Sequence, residues 1–389
     1  MKIFRFRARH TEGRHVLKKY LNQQDMKDRN YTNVLRLIRK SGPLTRRQIE
    51  AETGLSWGAV SNVTAHLIEL GYIRECKDPL GAVPSGVGAG RIPIYLEADR
   101  EKHFVIGMDI NASGFRAVIM NLCGEAVKTV RSPAKYEDRE TLLASIHDLT
   151  REILDYADGK HILCIGIAMQ GMVDTRTGVS IHFPHCKGWK DVPLAAILEN
   201  SFGLPVFLEH DPDCTLYAYS VPSGIHEAIL LRIDRGIGMA VMMNGRIFER
   251  LGAFELGCTL FGMPGEGKGG TLEKYATVTG IAERAGKPFD TCVSLARSED
   301  HAAKALFSDM ADALALAIVN TARLLNISEI VLCGDMLLYQ DLFYDRMLSA
   351  VGRLSEGARI DFRVTDVAGA ALGGAMIALE RFALKPESV

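Results

Sequence analysis

Twice along this chain a pair of apolar strands is followed by helical sequence and a further apolar strand. That repetition confines three quarters of the molecule to a duplicated α/β architecture. The first copy runs through FVIGMDI (104–110), FRAVIMNL (115–122), a turn at Cys123-Gly124, a helix from Glu140 to Tyr156 and the strand ILCIGIAM (162–169). The second runs through EAILLRI (227–233), GMAVMMN (238–244), an apolar helix over 309–325 and the strand EIVLC (329–333). Two such units predict two lobes with a ligand-sized cleft between them.

The remaining quarter reads differently. NVLRLIRK (33–40) places Val34, Leu37 and Ile38 on one helical face, and Ser41-Gly42-Pro43 stops it. Thr45 with Gln48 forms a capping-box signature for RRQIEAET, which Gly54 ends. Ser56 caps WGAVSNVTAHLIEL, where Val60, Val63, Leu67 and Leu70 recur at helical spacing before Gly71. A short helix, a glycine turn and a second helix with small polar residues early in it is the helix-turn-helix pattern. Residues 72–75 and 92–96 then read as two short strands around a Gly- and Pro-rich loop, which makes a wing. In such a module Trp57, Ser61, Asn62 and Thr64 are expected to face the major groove and Arg46 and Arg47 a phosphate. Arg91, at the wing tip, is expected to enter a narrow minor groove.

Charge supports this reading over a three-helix protein-binding module. The net charge of −1 conceals 19 Lys+Arg against 11 Asp+Glu in residues 1–103, and 27 against 36 in the rest. A basic module on an acidic body implies a polyanion partner for one end. At 389 residues two or three domains are expected. The divisions are a basic segment 1–30, whose role the sequence leaves open, a winged helix-turn-helix 31–98 and a two-lobed body 99–389. The start MKIFRFRARH is too interrupted for a signal peptide, and no stretch reaches about 18 apolar residues, so a cytoplasmic protein without a membrane span is expected. The eight cysteines are scattered without a C-x-x-C pair, and reduced, mostly buried thiols are expected.

The order of the wing, GRIP, GMDI, IGIAMQGMVD, GW at 188–189, LEHDPD, IDRGIG, FELG, GGTLE and GAALGGA resembles the ROK family (repressors, open reading frames and sugar kinases) from about residue 31 onward. The resemblance implies an actin-like, hexokinase-type fold closing on a sugar, in the manner of the family's xylose and N-acetylglucosamine repressors. Against the kinases of that family, three phosphate-side turns depart. The D-x-G-G-T turn is Asp109-Ile110-Asn111-Ala112-Ser113, G-T-G-I-G is Asp234-Arg235-Gly236-Ile237-Gly238, and G-G-G is Cys333-Gly334-Asp335. Side chains now stand where backbone would approach phosphate, so ATP binding is not expected.

The sugar side is better kept. The family's N-D pair, whose aspartate is the base in kinases, is His210-Asp211, and Glu255 and Glu273 match two further sugar-side glutamates. Carboxylates suit sugars because each oxygen accepts from a hydroxyl. Gly171 and Gly257 match turn positions. The resemblance therefore implies a ligand site of Gly171, His210, Asp211, Glu255, Cys258 and Glu273, with Asp211 a vestigial base. The family's zinc motif, one histidine and three cysteines, corresponds to Cys258, Pro264, Glu266 and Thr271, so no zinc is expected.

These readings converge on a sugar-responsive transcription regulator, a repressor whose dimer or tetramer binds an inverted-repeat operator with A·T-rich segments. Two alternatives stay open at this point. One is a ROK sugar kinase that also carries a DNA-binding domain, and the other is a regulator controlled by a protein partner.

Overall fold

A computed structural model describes residues 23–76, 93–184, 186–248, 252–261, 270–366 and 369–382. The chain opens with a winged helix. Helices α1 (Gln23–Ser41), α2 (Arg46–Thr53) and α3 (Trp57–Glu69) pack beside a small sheet of β1 (Leu44–Thr45), β2 (Ile73–Cys76) and β3 (Tyr95–Ala98), in the order β1-β3-β2. The Thr45–Gln48 capping box forms as expected, and Gly54 ends α2 in the left-handed region at φ 69. Helix α1, expected from Asn33, begins at Gln23 instead. Ahead of its apolar stripe the Tyr31 ring lies 5.4 Å from that of His66 on α3, and within the helix Thr32 Oγ1 donates to Asp28 O at 3.0 Å.

The first lobe contains β4 (His103–Asn111), β5 (Gly114–Asn121), β6 (Ala126–Ser132), α4 (Arg139–Tyr156) and β7 (His161–Met169). A small sheet follows, of β8 (Met172–Asp174), β9 (Val179–His182) and β10 (Lys190–Val192), and then α5 (Leu194–Phe202), β11 (Val206–His210) and α6 (Asp211–Ser220). The second lobe contains β12 (Ala228–Ile233), β13 (Ile237–Met243), β14 (Arg246–Ile247), the short pair β15 (Leu260–Phe261) and β16 (Gly270–Thr271), and α7 (Leu272–Ala276). After these come α8 (Val278–Ala285), α9 (Phe289–Arg297), α10 (His301–Leu325), β17 (Glu329–Cys333), α11 (Tyr344–Leu354) and β18 (Asp361–Val364). The last helix, α12 (Gly369–Arg381), returns to the first lobe.

The duplication read from the strand pattern is present in the pairing. Each lobe has a five-stranded sheet, ordered β11-β7-β4-β5-β6 and β14-β13-β12-β17-β18. In each, three strands form an antiparallel meander and two more add in parallel to the first of them. Such a sheet needs both faces covered, which explains why β4 and β12 are buried along their whole length and β7 from Leu163 onward, mostly through apolar side chains.

Helix α12 covers one face of the first sheet at unusually short range. A Cβ on Gly107 of β4 would lie 1.9 Å from Ala371 O, and one on Gly166 of β7 would lie 2.0 Å from Gly374 O. On its other side, a Cβ on Gly373 would lie 1.9 Å from Cys214 O of α6. Helix α12 is thereby wedged between the central strands and the helix that starts at Asp211. Its C-terminal half shares one apolar core with the winged helix, in which Val34, Ile38, Val60 and Leu67 join Val105, Leu122, Cys164, Ala375 and Leu379.

Replacing Gly166 by alanine is expected to destabilise the protein by about 1–3 kcal/mol, because strand and helix backbones must separate. Gly352, exposed in α11 with no atom within 4 Å of its would-be Cβ, is the control. Gly352→Ala is expected to raise stability by up to about 1 kcal/mol through helix propensity. Urea unfolding midpoints of the two variants check both expectations.

Candidate functional site: interlobe cleft and recognition helix

A cleft of 460 Å³ opens between the lobes. One wall is the end of β4 and the turn after it. Asn111 Oδ1 accepts from Ser113 N at 2.9 Å, and Asn111 Nδ2 donates to Asp109 Oδ2 at 2.9 Å. Ala112 N donates to Gln170 Oε1 at 2.7 Å. The turn's amides are therefore occupied by the chain's own side chains, an arrangement that Asn111 makes possible and that a glycine there would not. Gln170, which sequence reasoning passed over, orders this turn from the end of β7.

The centre of the cleft floor is Arg232 of β12, 5% exposed. Its Nη1 donates to Asp211 Oδ2 at 2.6 Å and its Nε to Asp234 Oδ2 at 2.6 Å. The second oxygen of Asp234 accepts from Asp335 N, and Ser113 Oγ donates to Asp335 Oδ2 at 3.2 Å across the cleft. Burial opposes the charge of Arg232, yet Asp211, Asp234 and Asp109 together raise its pKa above the ordinary arginine value. Burial pushes Asp211 up, and Arg232 works against that shift. Asp109 is raised to about 6, by burial first, with Arg232 and Asn111 offsetting part of it. The aspartate at 234, which reads in sequence as a group repelling phosphate, is in the fold a counterion of Arg232.

Beside this network the matched ligand residues are spread around the start of α6 and the turns of the second lobe. His210 is buried, with Nε2 3.9 Å from Asp211 Oδ1 and Nδ1 3.7 Å from Asp213 Oδ2. Glu273 Oε1 accepts from Ile237 N at 3.0 Å, and its side chain fills the space over Gly257, where a Cβ would lie 2.5 Å from Glu273 Cγ. Glu255 is exposed, and Cys258 Sγ donates to its Oε2 at 3.5 Å. Gly171 has a packing reason for its place: at φ +93 its Cβ would lie 2.3 Å from His182 O. Among the described residues no group of three or more metal-ligating side chains forms, and Pro264 and Glu266 lie outside them.

On the recognition helix α3, Trp57 is 50% exposed, Asn62 is exposed and Ser61 is half-buried, while Arg47 is exposed on α2. Thr64 differs from expectation. It is wholly buried and donates to Ser61 O at 3.2 Å, because it stands four residues after Val60 and three before Leu67 on the inward stripe. Arg46, expected on a phosphate, donates instead to Thr64 Oγ1 at 3.0 Å and to Glu75 Oε1 at 3.2 Å, pinning α2 to α3 and the wing strand. Arg91 lies outside the described residues.

The sequence pattern of the ROK family matches residues 105–378. The chain belongs to the ROK family. A MarR-family pattern matches residues 24–82, over the winged helix. The xylose repressor of Caldicellulosiruptor bescii is 26% identical over 280 residues, covering 68% of this chain and 66% of its own. A transcriptional regulator of Mycobacterium tuberculosis is 27% identical over 370 residues, covering 87% and 82%. The N-acetylglucosamine repressor of Escherichia coli is 25% identical over 230 residues, covering 57% and 54%. The chain thus spans about two thirds or less of the two sugar repressors' lengths. Among solved structures, a ROK family transcriptional regulator homologous to E. coli Mlc superposes with a TM-score of 0.74 at 20% identity, over 91% of this chain and 97% of its own. A ROK hexokinase from Thermus thermophilus reaches 0.61 at 24% identity, over 70% and 97%. These similarities show the fold.

Within the ROK fold, Arg232 is a second residue, after Gln170, that sequence reasoning missed. It occurs as one cation in an otherwise apolar strand, and that lone charge was the available signal. Removing one partner of a buried pair costs about 3–5 kcal/mol, because the other charges stay buried and uncompensated. Arg232→Leu is therefore expected to lose about that much stability at pH 8. Without the cation nothing offsets the burial that pushes Asp211 up, so its folded-state pKa stands further above the unfolded value and the folded variant takes up an extra proton as pH falls. Its deficit against the parent should shrink from pH 8 to pH 5. Urea unfolding of both proteins at the two pH values measures this.

Proposed function

We propose that this ROK protein is a cytoplasmic transcription regulator, a repressor whose winged helix binds operator DNA and whose interlobe cleft binds a sugar-like effector without transferring phosphate. The observation that carries the second half is the pairing of Asp211 with Arg232. A kinase base must be basic enough to take the attacking hydroxyl's proton, and here one carboxylate oxygen, Oδ2, is held at 2.6 Å by a guanidinium that favours the charged form, leaving Oδ1 to accept from a hydroxyl without deprotonating it. The occupied amides of Ala112, Ser113, Ile237 and Asp335 point the same way, since phosphates are cradled by free amides. ATP and zinc are not part of this reading, the latter because Cys258 is the one thiol or imidazole at the four positions of the family's zinc motif. The sugar contacts proposed are Asp211, His210, Glu255 and Glu273, with Cys258 and Gly171 shaping the turns beside them.

The first half rests on the exposed face of α3, on the basic N-terminal quarter and on relatives named as repressors and transcriptional regulators. Trp57, Ser61 and Asn62 are the proposed base-edge contacts, with Arg47 on a phosphate. A homodimer or tetramer would present two such helices to an inverted repeat.

A continuous physical link joins the two halves. Arg381, at the end of α12, donates to Glu209 of β11, which is followed by His210 and by Asp211 at the start of α6. Its neighbour Glu380 pairs with Arg36 Nε at 2.6 Å and Arg39 Nη1 at 3.2 Å on α1. Arg39 Nε also donates to Leu122 O at 2.9 Å. A shift of β11 and α6 on ligand binding would therefore reach the DNA-binding module through one rigid helix.

Two outcomes follow. The purified protein is expected to show no sugar-dependent ATP turnover, and robust turnover that disappears in Asp211→Asn would overturn the non-enzymatic reading. In operator-binding titrations, effector is expected to change DNA affinity by roughly 5- to 150-fold, with the reciprocal change in effector affinity. Glu380→Ala should bring that factor toward one while each separate affinity persists. Undiminished coupling in Glu380→Ala would remove this helix from the link.

A further inference from the structure

The former nucleotide side of the cleft carries two arginines that the sugar-side network does not use. Asp109 of β4, Arg116 of β5 and Arg131 of β6 are directly opposed across neighbouring strands, Asp109 to Arg116 and Arg116 to Arg131. Opposed residues share a face of the sheet, so the three side chains form a row along one wall of the cleft, and all three line it. Nε and Nη1 of Arg116 are buried with no hydrogen-bond partner, and so is Oδ1 of Asp109. Arg131 is exposed and, among the described residues, makes no ion pair. Arg232, by contrast, is committed to Asp211 and Asp234.

Buried donors without partners are costly, and a guanidinium fork is matched by the oxygens of phosphate or carboxylate. Two adjacent guanidinium groups that face a single carboxylate, Asp109, suit a group bearing close to two charges, which a phosphate monoester is near neutral pH and a carboxylate is not. The backbone of this wall offers no alternative cradle, because the amides of Ala112 and Ser113 are already engaged.

Resting on the regulator reading above, we propose that the effector is a phosphorylated sugar or polyol whose phosphate is held by the side chains of Arg116 and Arg131, with a hydroxyl of the same molecule on Asp109 Oδ1. The chain has in this way replaced a site for a nucleotide's phosphates, built from backbone amides, by a site for one phosphate monoester, built from arginines. The 460 Å³ of the cleft suits a molecule of that size, since small-ligand pockets run from about 300 to 1,000 Å³. Asp335, held by Ser113 across the cleft, adds a carboxylate to the opposite wall, where a chain of further phosphates would have to pass. Asp109, raised to about 6, carries a proton in part of the population near neutrality, which eases an anion's approach.

The test is calorimetric titration of the full chain with hexose and pentose phosphates, the same sugars without phosphate, inorganic phosphate and ATP-Mg. Each titration is repeated in Arg116→Gln and Arg131→Gln. At least one sugar phosphate is expected to bind about tenfold or more tightly than its neutral parent, with inorganic phosphate competing weakly. Each variant should bring that ratio toward one while leaving the neutral sugar's affinity unchanged. Arg131 is exposed on β6, so its variant is expected to fold like the parent, and melting curves verify this for both. A neutral sugar that binds as tightly as its phosphate, or a ratio unchanged in both variants, overturns the proposal and leaves the regulator reading standing. Tightest binding by ATP-Mg overturns it in favour of a nucleotide. Absence of binding by every carbohydrate tested overturns both this proposal and the sugar-effector reading.

Discussion

The close approach of α12 to β4, β7 and α6 is the constraint on which the arrangement of both functional halves depends. With no side chain at Gly107, Gly166 and Gly373, the helix lies directly against strand and helix backbones, and its position has little freedom. From there its far end forms a common core with the winged helix, and Glu380 and Arg381 reach α1 in one direction and Glu209 in the other. A helix held this tightly moves as a body. In the coupling proposed above, small changes at the start of α6 would therefore arrive at α1 as displacements of the whole winged helix.

The second organising element is the buried cation of Arg232. A guanidinium 5% exposed is tolerable only with carboxylates around it, and Asp211, Asp234 and Asp109 supply them. This one side chain reconciles two features that look unrelated along the chain, a retained catalytic-type aspartate and an aspartate in place of a phosphate turn. Together with Asn111 and Gln170, which occupy the first turn's amides, it closes the centre of the cleft with the chain's own hydrogen bonds. Arg116 and Arg131 lie outside that network and line the same wall of the cleft.

Much of the fold was legible because its signals are local. The apolar strand runs, the Thr45–Gln48 capping box and the stop at Gly54 depend on residues within a few positions of one another, and each appears as read. Errors arose where one local signal was weighed over another. Thr64 was placed on the reading face for its polarity, although its spacing from Val60 and Leu67 puts it on the inward stripe, and Arg46 followed it inward. Helix α1 starts before its apolar pattern, and the contact of Tyr31 with His66 of α3 ahead of that pattern is one that periodicity does not register. At the cleft, the positions of Asp211, Glu255 and Glu273 could be read, but not which of them is already paired.

By itself the sequence determined the element types, the duplication, the two-part organisation and the charged residues available to a ligand, since periodicity, capping and turn chemistry act over short separations. Only the tertiary structure decided how those charges are used. The Arg232–Asp211 pair joins residues 21 apart, Ser113 and Asp335 meet across 222, and Arg39 and Glu380 across 341. Contacts of that kind are set by sheet register and by the seating of α12, where a shift of one residue would turn every side chain of a strand to the other face. Whether Asp211 is a free base or a counterion, and whether Arg116 faces a cleft or solvent, is therefore a property of the pairing and not of the residue.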